Sequence, residues 1–239
     1  MKKPELLSTK QLPEALLKQA AAKGVELSIQ EMISIRPLLT RQQWELLLPL
    51  LENEKANIAF TSASSVDALK PFLHPYVNQH PLDWNIYCLS GKTREAIESL
   101  PESPGRIVTT ADDAATLGRK IVTEGLQQLV FFCGDQRRDE LPAQLREAGI
   151  DLTEVVVYAT EERPVKMEQA FDGVLFFSPS GVRSFFAVNQ LKKDAVCFAI
   201  GQTTAESLRV FTKNEIIVSD RPFLEELLNK ALDHFNQHT

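Results

Sequence analysis

Val174 to Phe186 reads VLFFSPSGVRSFF. Four apolar residues lead into Ser178, Pro179 bends the chain, and a new apolar pattern at helical spacing follows. A buried β-strand that runs straight into an α-helix has this pattern. In a parallel sheet the turn lies at the carboxyl end of the strand, where free N–H groups of the first helical turn meet the positive end of the helix dipole. It is a place to hold an anion. The stretch has a twin in Ala59 to Leu69, AFTSASSVDAL, which pairs Phe60 with Phe176, Ser62 with Ser178, Ser64 with Ser180 and Val66 with Val182; the offset is 178 minus 62, or 116.

The duplication continues outward. An apolar run at Trp84 to Leu89 ends in Ser90-Gly91-Lys92-Thr93, and its counterpart at Val196 to Ile200 ends in Gly201-Gln202-Thr203-Thr204, an offset of 201 minus 91, or 110. Ile107-Val108 before Thr109-Thr110 matches Ile217-Val218 before Ser219-Asp220 at the same offset. A further strand, Leu129 to Phe132, precedes Leu141 to Leu152, LPAQLREAGIDL, and that helix resembles Leu12 to Leu27, LPEALLKQAAAKGVEL. The middle of the chain thus carries four strand-helix segments in order. The other copy has three of them at its C-terminal end and the fourth at the N-terminus.

This arrangement predicts a discontinuous first lobe, residues 1–30 and 165–239, with a second lobe, residues 38–154, inserted into it. The connections, 31–37 and 155–164, come from β-prone stretches that each end in Arg-Pro, at Arg36-Pro37 and Arg163-Pro164. They can pair as a two-stranded hinge. Strands alternating with helices give an α/β fold in each lobe, a parallel sheet with helices on both faces. Trp44, Leu47, Leu48 and Leu51 mark one face of a helix from Arg41, and Leu224, Leu227, Leu228, Ala231, Leu232 and Phe235 mark the last helix.

A chain of 239 residues with 44% hydrophobic content supports two cores. Its net charge of −6 argues against general nucleic-acid binding, which needs a basic face, but leaves room for an anionic small molecule. Nowhere do eighteen apolar residues follow one another, and the N-terminus lacks the apolar core of an export signal, so a soluble, cytoplasmic protein is expected. Cys88, Cys133 and Cys197 lie in apolar runs without metal-type spacing and read as buried free thiols.

Five strand-end loops are rich in small hydroxyl residues: Thr61-Ser62-Ala63-Ser64-Ser65, Ser90-Gly91-Lys92-Thr93, Gly134-Asp135-Gln136, Ser178-Pro179-Ser180-Gly181 and Gly201-Gln202-Thr203-Thr204. Taken singly, their serines and threonines are ordinary helix N-caps. Taken together, they stand where open α/β sheets bind ligands, outside the carboxyl ends of the strands, and two facing lobes would line one cleft with them. Ser180 does not make a nucleophile elbow, because Ser178 stands where that motif needs glycine. His74, His80, His234 and His238 show no metal-ligand spacing, and neither nucleotide fingerprint, GxGxxG nor GxxxxGK[ST], is present. Tyr158, in VVVYAT, reads either as a packed β-prone residue or as a phenol facing the cleft as a proton donor.

FTSASSVDAL, FFCGDQRRDELPAQLREAGI, VVVYAT with its Arg-Pro, FFSPSGVRSFF and AIGQTTAESL resemble, in that order along nearly the whole chain, the uroporphyrinogen-III synthase family. The resemblance implies two flavodoxin-like lobes joined by a β-ladder, acting as a monomer without metal or other cofactor. It implies a cyclising hydro-lyase of haem biosynthesis. The substrate would be the linear tetrapyrrole hydroxymethylbilane, which loses water and closes, through a spiro intermediate and with its last ring inverted, to uroporphyrinogen III. Tyr158 matches the family tyrosine proposed as the acid that assists hydroxyl departure. Substrate carboxylates would be met by Lys10, Ser62, Ser64, Ser65, Gly91, Thr93, Gly134, Ser178, Ser180, Gly181, Gly201, Thr203 and Thr204. Lys10 stands where the family has an arginine, keeping the charge and losing the bidentate fork, and Arg94 stands where comparison with Thr204 calls for threonine. The rival reading is a two-lobed, non-catalytic binding module for an acidic metabolite; a flavin protein would need a phosphate loop that is missing.

Overall fold

The computed structural model describes residues 3–52, 55–78 and 80–237. The chain divides into two compact units, Met1–Ser34 with Glu161–Thr239, and Ile35–Thr160. In chain order, β1 (Glu5–Ser8), α1 (Glu14–Ala22) and β2 (Glu26–Ile29) open the first unit. Then come β3 (Ile33–Pro37), α2 (Arg41–Leu51), β4 (Asn57–Phe60), α3 (Ala63–Val77), β5 (Trp84–Leu89), α4 (Lys92–Glu98), β6 (Gly105–Ala111), α5 (Ala114–Thr123), β7 (Gln128–Gly134), α6 (Glu140–Glu147) and β8 (Asp151–Glu162). The chain returns to the first unit for β9 (Gly173–Phe176), α7 (Pro179–Phe186), β10 (Val196–Ala199), α8 (Gln202–Phe211), β11 (Ile216–Val218) and α9 (Leu224–Gln237).

The first unit's sheet has the order β11-β10-β9-β1-β2, the second β6-β5-β4-β7-β8 with β3 added outside β8. Every registered pairing within these two five-strand sets is parallel. The two orders superpose position for position, with β9 on β4 and β1 on β7. In chain order the first unit is 2-1-3-4-5, the flavodoxin arrangement, and the second is 3-2-1-4-5, the other common doubly wound order. One spatial plan is therefore threaded in two ways, and the repeats at offsets 116 and 110 are the strands a shared plan must match.

Each sheet also has a fifth strand beyond the four strand-helix segments the repeat predicts. Glu26–Ile29 pairs in register with β1, and β8 pairs with β7 from Asp151 to Tyr158. The chain crosses between the units inside β3 and β8. These two run in opposite directions, with Leu38 N–H donating to Val157 O at 2.9 Å and Arg163 N–H to Met32 O at 2.9 Å.

Central strands β9, β10 and β7 are buried almost throughout, as strands covered on both faces must be. Alternate side chains go to opposite cores. In the first unit Leu6, Leu175 and Phe198 meet α1 and α9, while Leu7, Val174, Phe176 and Cys197 meet α7 and α8. In the second, Ile58, Phe60, Trp84 and Phe132 meet α2 and α3, while Ala59, Tyr87, Phe131 and Cys133 meet α5 and α6. Phe60 and Phe132 stack at 5.6 Å, and Trp84 Nε1–H donates to Leu51 O at 2.9 Å, closing the end of α2. The start of α2 is fixed by a capping box, Gln43 N–H to Thr40 Oγ1 at 3.2 Å and Thr40 N–H to Gln43 Oε1 at 2.9 Å.

With two cores of its own, the second unit is expected to fold alone as residues 35–160 and to unfold in one cooperative urea transition. A fragment stopped at residue 150 loses β8 from the edge of β7 and is expected to lose that transition. Circular dichroism through a urea series checks both; a featureless 35–160 fragment would show that the unit depends on the rest of the chain.

Candidate active site

In a doubly wound sheet the strand order reverses between two neighbours, and their loops part to opposite faces, opening a crevice at the strands' carboxyl ends. In the second unit those neighbours are β4 and β7. At the end of β4, Ser62 caps α3, its Oγ accepting from Ser64 N–H at 3.1 Å, and Ser65 Oγ donates to Ser62 O at 2.7 Å. At the end of β7 the pairing with β8 slips: Cys133 faces Val156, but Gly134 faces Tyr158. Val157 is the extra residue of a β-bulge, which breaks the alternation of side chains. Val157 and Tyr158 consequently pack on the same core, although they are consecutive.

The bulge lays the Tyr158 ring over Gly134. A Cβ at Gly134 would stand 2.4 Å from Cζ and 2.6 Å from the phenolic oxygen, so glycine is required by close approach. Tyr158 O–H donates to Ser62 Oγ at 3.0 Å. Burial raises the phenol's pKa above its ordinary value, the Ser62 hydrogen bond pulls it partly back, and the charges of Cys133 and Asp135 add to the rise. The proton stays on Tyr158 at neutral pH. Asp135 braces the turn, its N–H donating to Tyr158 O at 3.0 Å and its Oδ1 accepting from Thr160 N–H at 2.9 Å.

The first unit's switch point lies between β9 and β1. Ser178 caps α7, accepting from Gly181 N–H at 3.1 Å, and its Oγ lies 3.0 Å from the buried Ser180 Oγ. Thr9 Oγ1 donates to Leu175 O at 2.8 Å, and Ser8 Oγ to Lys10 O at 2.6 Å. The Lys10 side chain is exposed. Thr9 was not among the sequence-derived candidates; its signal is position, the end of the strand that matches β7.

Gly91 and Gly201 begin α4 and α8 without a side-chain cap. Thr93 and Thr204 are buried in the first turns of these helices, whereas Thr203 is exposed. By burial Thr93 therefore matches Thr204, one residue beyond the offset of 110, and the preceding glycines differ as well: Gly91 has φ 68° and Gly201 is extended.

Among the described residues no group of three or more His, Cys, Asp or Glu could hold a metal ion, and no helix is long and apolar enough to cross a membrane. His74 Nδ1 lies 2.8 Å from Glu102 and His234 is edge-on to Phe198; His238 lies outside the described residues. The cysteines are free and buried, which pushes the thiols of Cys88 and Cys133 up to about 11 and Cys197 to about 12. They are poor nucleophiles.

Fold and site define a two-unit, doubly wound α/β protein with hydroxyl-lined switch points. A family model described as uroporphyrinogen-III synthase HemD matches residues 14–229, about nine-tenths of the sequence. The chain belongs to the uroporphyrinogen-III synthase family. It is 30% identical over 129 residues to a uroporphyrinogen-III synthase of Saccharomyces cerevisiae, a match that takes in 46% of each protein and so spans less than half of that relative. In fold it resembles the uroporphyrinogen-III synthetase of Helicobacter pylori, with TM-score 0.68 and 16% identity over 97% of this chain and 99% of that one. It also resembles a mutant uroporphyrinogen III synthase of Thermus thermophilus, with TM-score 0.63 and 14% identity over 99% of this chain and 100% of that one.

Proposed function

We propose that this chain closes hydroxymethylbilane into uroporphyrinogen III, releasing one water and inverting the terminal pyrrole ring. Family membership supports the reaction class. The observation that carries it to residues is the Tyr158–Ser62 hydrogen bond at the second unit's switch point. The pyrrole nitrogen lone pair pushes the hydroxyl from its carbon; the oxygen departs with the C–O bond pair and takes a proton from Tyr158 to leave as water. Ring closure releases a proton, which returns to the phenolate. Substrate carboxylates are met by strand-end N–H groups, by strand-end hydroxyls other than that of Ser62, and by Lys10. The chain works as a cytoplasmic monomer on this small molecule, without nucleic acid, membrane, metal or organic cofactor.

Incubation with freshly made hydroxymethylbilane, followed by isomer analysis, tests the reading: isomer III is expected. Binding of the bilane with only the spontaneous, uninverted isomer formed would favour a non-catalytic binding module instead.

Gly201 offers a separate test of the binding surface. Its backbone is extended and no atom lies within 4 Å of where a Cβ would be. Gly201→Leu is therefore expected to cost at most about 1 kcal/mol of stability, the difference between a tolerable and a poor helix cap. Its KM should rise roughly tenfold, the loss of about 1.4 kcal/mol of substrate binding, and some uninverted isomer should appear. Unchanged KM and isomer ratio in a stable variant would remove Gly201 from the binding surface.

A further inference from the structure

We propose that Ser62 is a positioning residue for Tyr158: it fixes where the phenolic proton points and then donates to the phenolate once that proton has left. This rests on the reading of Tyr158 as the acid. A serine hydroxyl has two lone pairs and one proton. Both lone pairs of Ser62 are engaged, one by Tyr158 O–H at 3.0 Å and one by Ser64 N–H at 3.1 Å. When Tyr158 turns its proton to a departing oxygen, the Ser62 proton is free to swing onto the phenolic oxygen while Oγ still accepts from Ser64. The hydrogen bond reverses direction without either heavy atom moving.

Two further features keep the oxygens within reach. The β-bulge aims Tyr158 at the end of β4 rather than at the opposite face of the sheet. Gly134 leaves just the depth of a ring beneath it, since even a methyl group there would stand 2.4 Å from the ring. The Ser62 bond also favours the phenolate, against burial and the charges of Cys133 and Asp135. Its helix-capping role alone would not require it to meet Tyr158, because the cap bond uses only one lone pair.

The test compares Ser62→Ala, Tyr158→Phe and the double variant in the full chain. Ser62→Ala is expected to lower kcat roughly three- to tenfold, the worth of one neutral hydrogen bond, with KM nearly unchanged. In the Tyr158→Phe background it should lower kcat no further, because the group it serves is gone. Ser62→Thr should restore most of the rate. Glycine is nearly as good a cap as serine, so Ser62→Gly carries the same comparison if the alanine variant unfolds. An equal fall of kcat in both backgrounds, or a rise in KM alone, would overturn the proposal, the first pointing to a structural cap and the second to a substrate contact. A second readout needs no turnover: the chain has three tyrosines, so carbon-13 labelling at Cζ resolves the Tyr158 titration. Its midpoint should move to higher pH in Ser62→Ala; an unmoved midpoint would overturn the proposal even if isomer III is made. If wild type makes none while the midpoint does move, the proposed reaction fails and the Ser62–Tyr158 coupling survives.

Discussion

Tyr158→Phe is expected to slow formation of uroporphyrinogen III by about 10- to 100-fold while leaving isomer III as the product. A positioned acid typically contributes roughly a hundred- to ten-thousandfold, and this one stands at or below the lower end because the bilane's hydroxyl is already pushed out by the pyrrole nitrogen. Orientation does the rest, since holding reacting atoms at contact lowers a barrier by up to ~7–11 kcal/mol. Phenylalanine keeps the ring over Gly134 and removes only the hydroxyl that meets Ser62. The raised pKa sets the pH dependence: the phenol stays protonated through neutral pH, so the rate should fall only as pH rises above the ordinary tyrosine range. Initial rates and isomer ratios of wild type and variant against pH check all of this. A variant with no detectable turnover would show that one side chain carries the chemistry.

Gly134→Val should do more harm than removing the hydroxyl. The first carbon of any side chain at this position would lie 2.4 Å from Tyr158 Cζ, well inside contact distance, so the ring has to leave its seat. Overpacking of this kind costs about 1–3 kcal/mol of stability. The rate should fall at least ~100-fold, since the acid is displaced along with the turn that Asp135 braces. The clash is specific, which makes it testable: Tyr158→Ala added to Gly134→Val should recover much of the lost urea midpoint without recovering activity. If the second substitution lowers the midpoint further, the damage lies elsewhere in the β7 turn.

Much of this was legible in the sequence, because repeated strand-turn-helix units keep their small residues where geometry needs them. FTSASS and FFSPSG are alike since both end the central strand of the same sheet plan, and the displaced Leu-Pro helix points to a permuted order. The fifth strand of each sheet was not legible. Glu26–Ile29 and the start of β8 are short β-prone stretches, and only their pairing partners show that each extends its sheet. Tyr158 could be singled out as a residue, but its aim could not. In VVVYAT strict alternation puts Val157 and Tyr158 on opposite faces, and a bulge of one residue, which leaves no mark in composition, reverses that.

The divided first unit also bears on how the chain comes off the ribosome. Thr9 and Leu175 are hydrogen-bonded to each other across 166 residues of sequence. At ~5–20 residues per second, roughly 8 to 33 s pass between the synthesis of one and the other. During that wait all of Ile35–Thr160 is made, so the inserted unit can finish its sheet first. Leu6 and Leu7, fully buried in the finished protein, have only β2 to pair with until β9 arrives. Residues made before the inserted unit thus complete their pairing only after it, and the hazard of misassembly falls on β1.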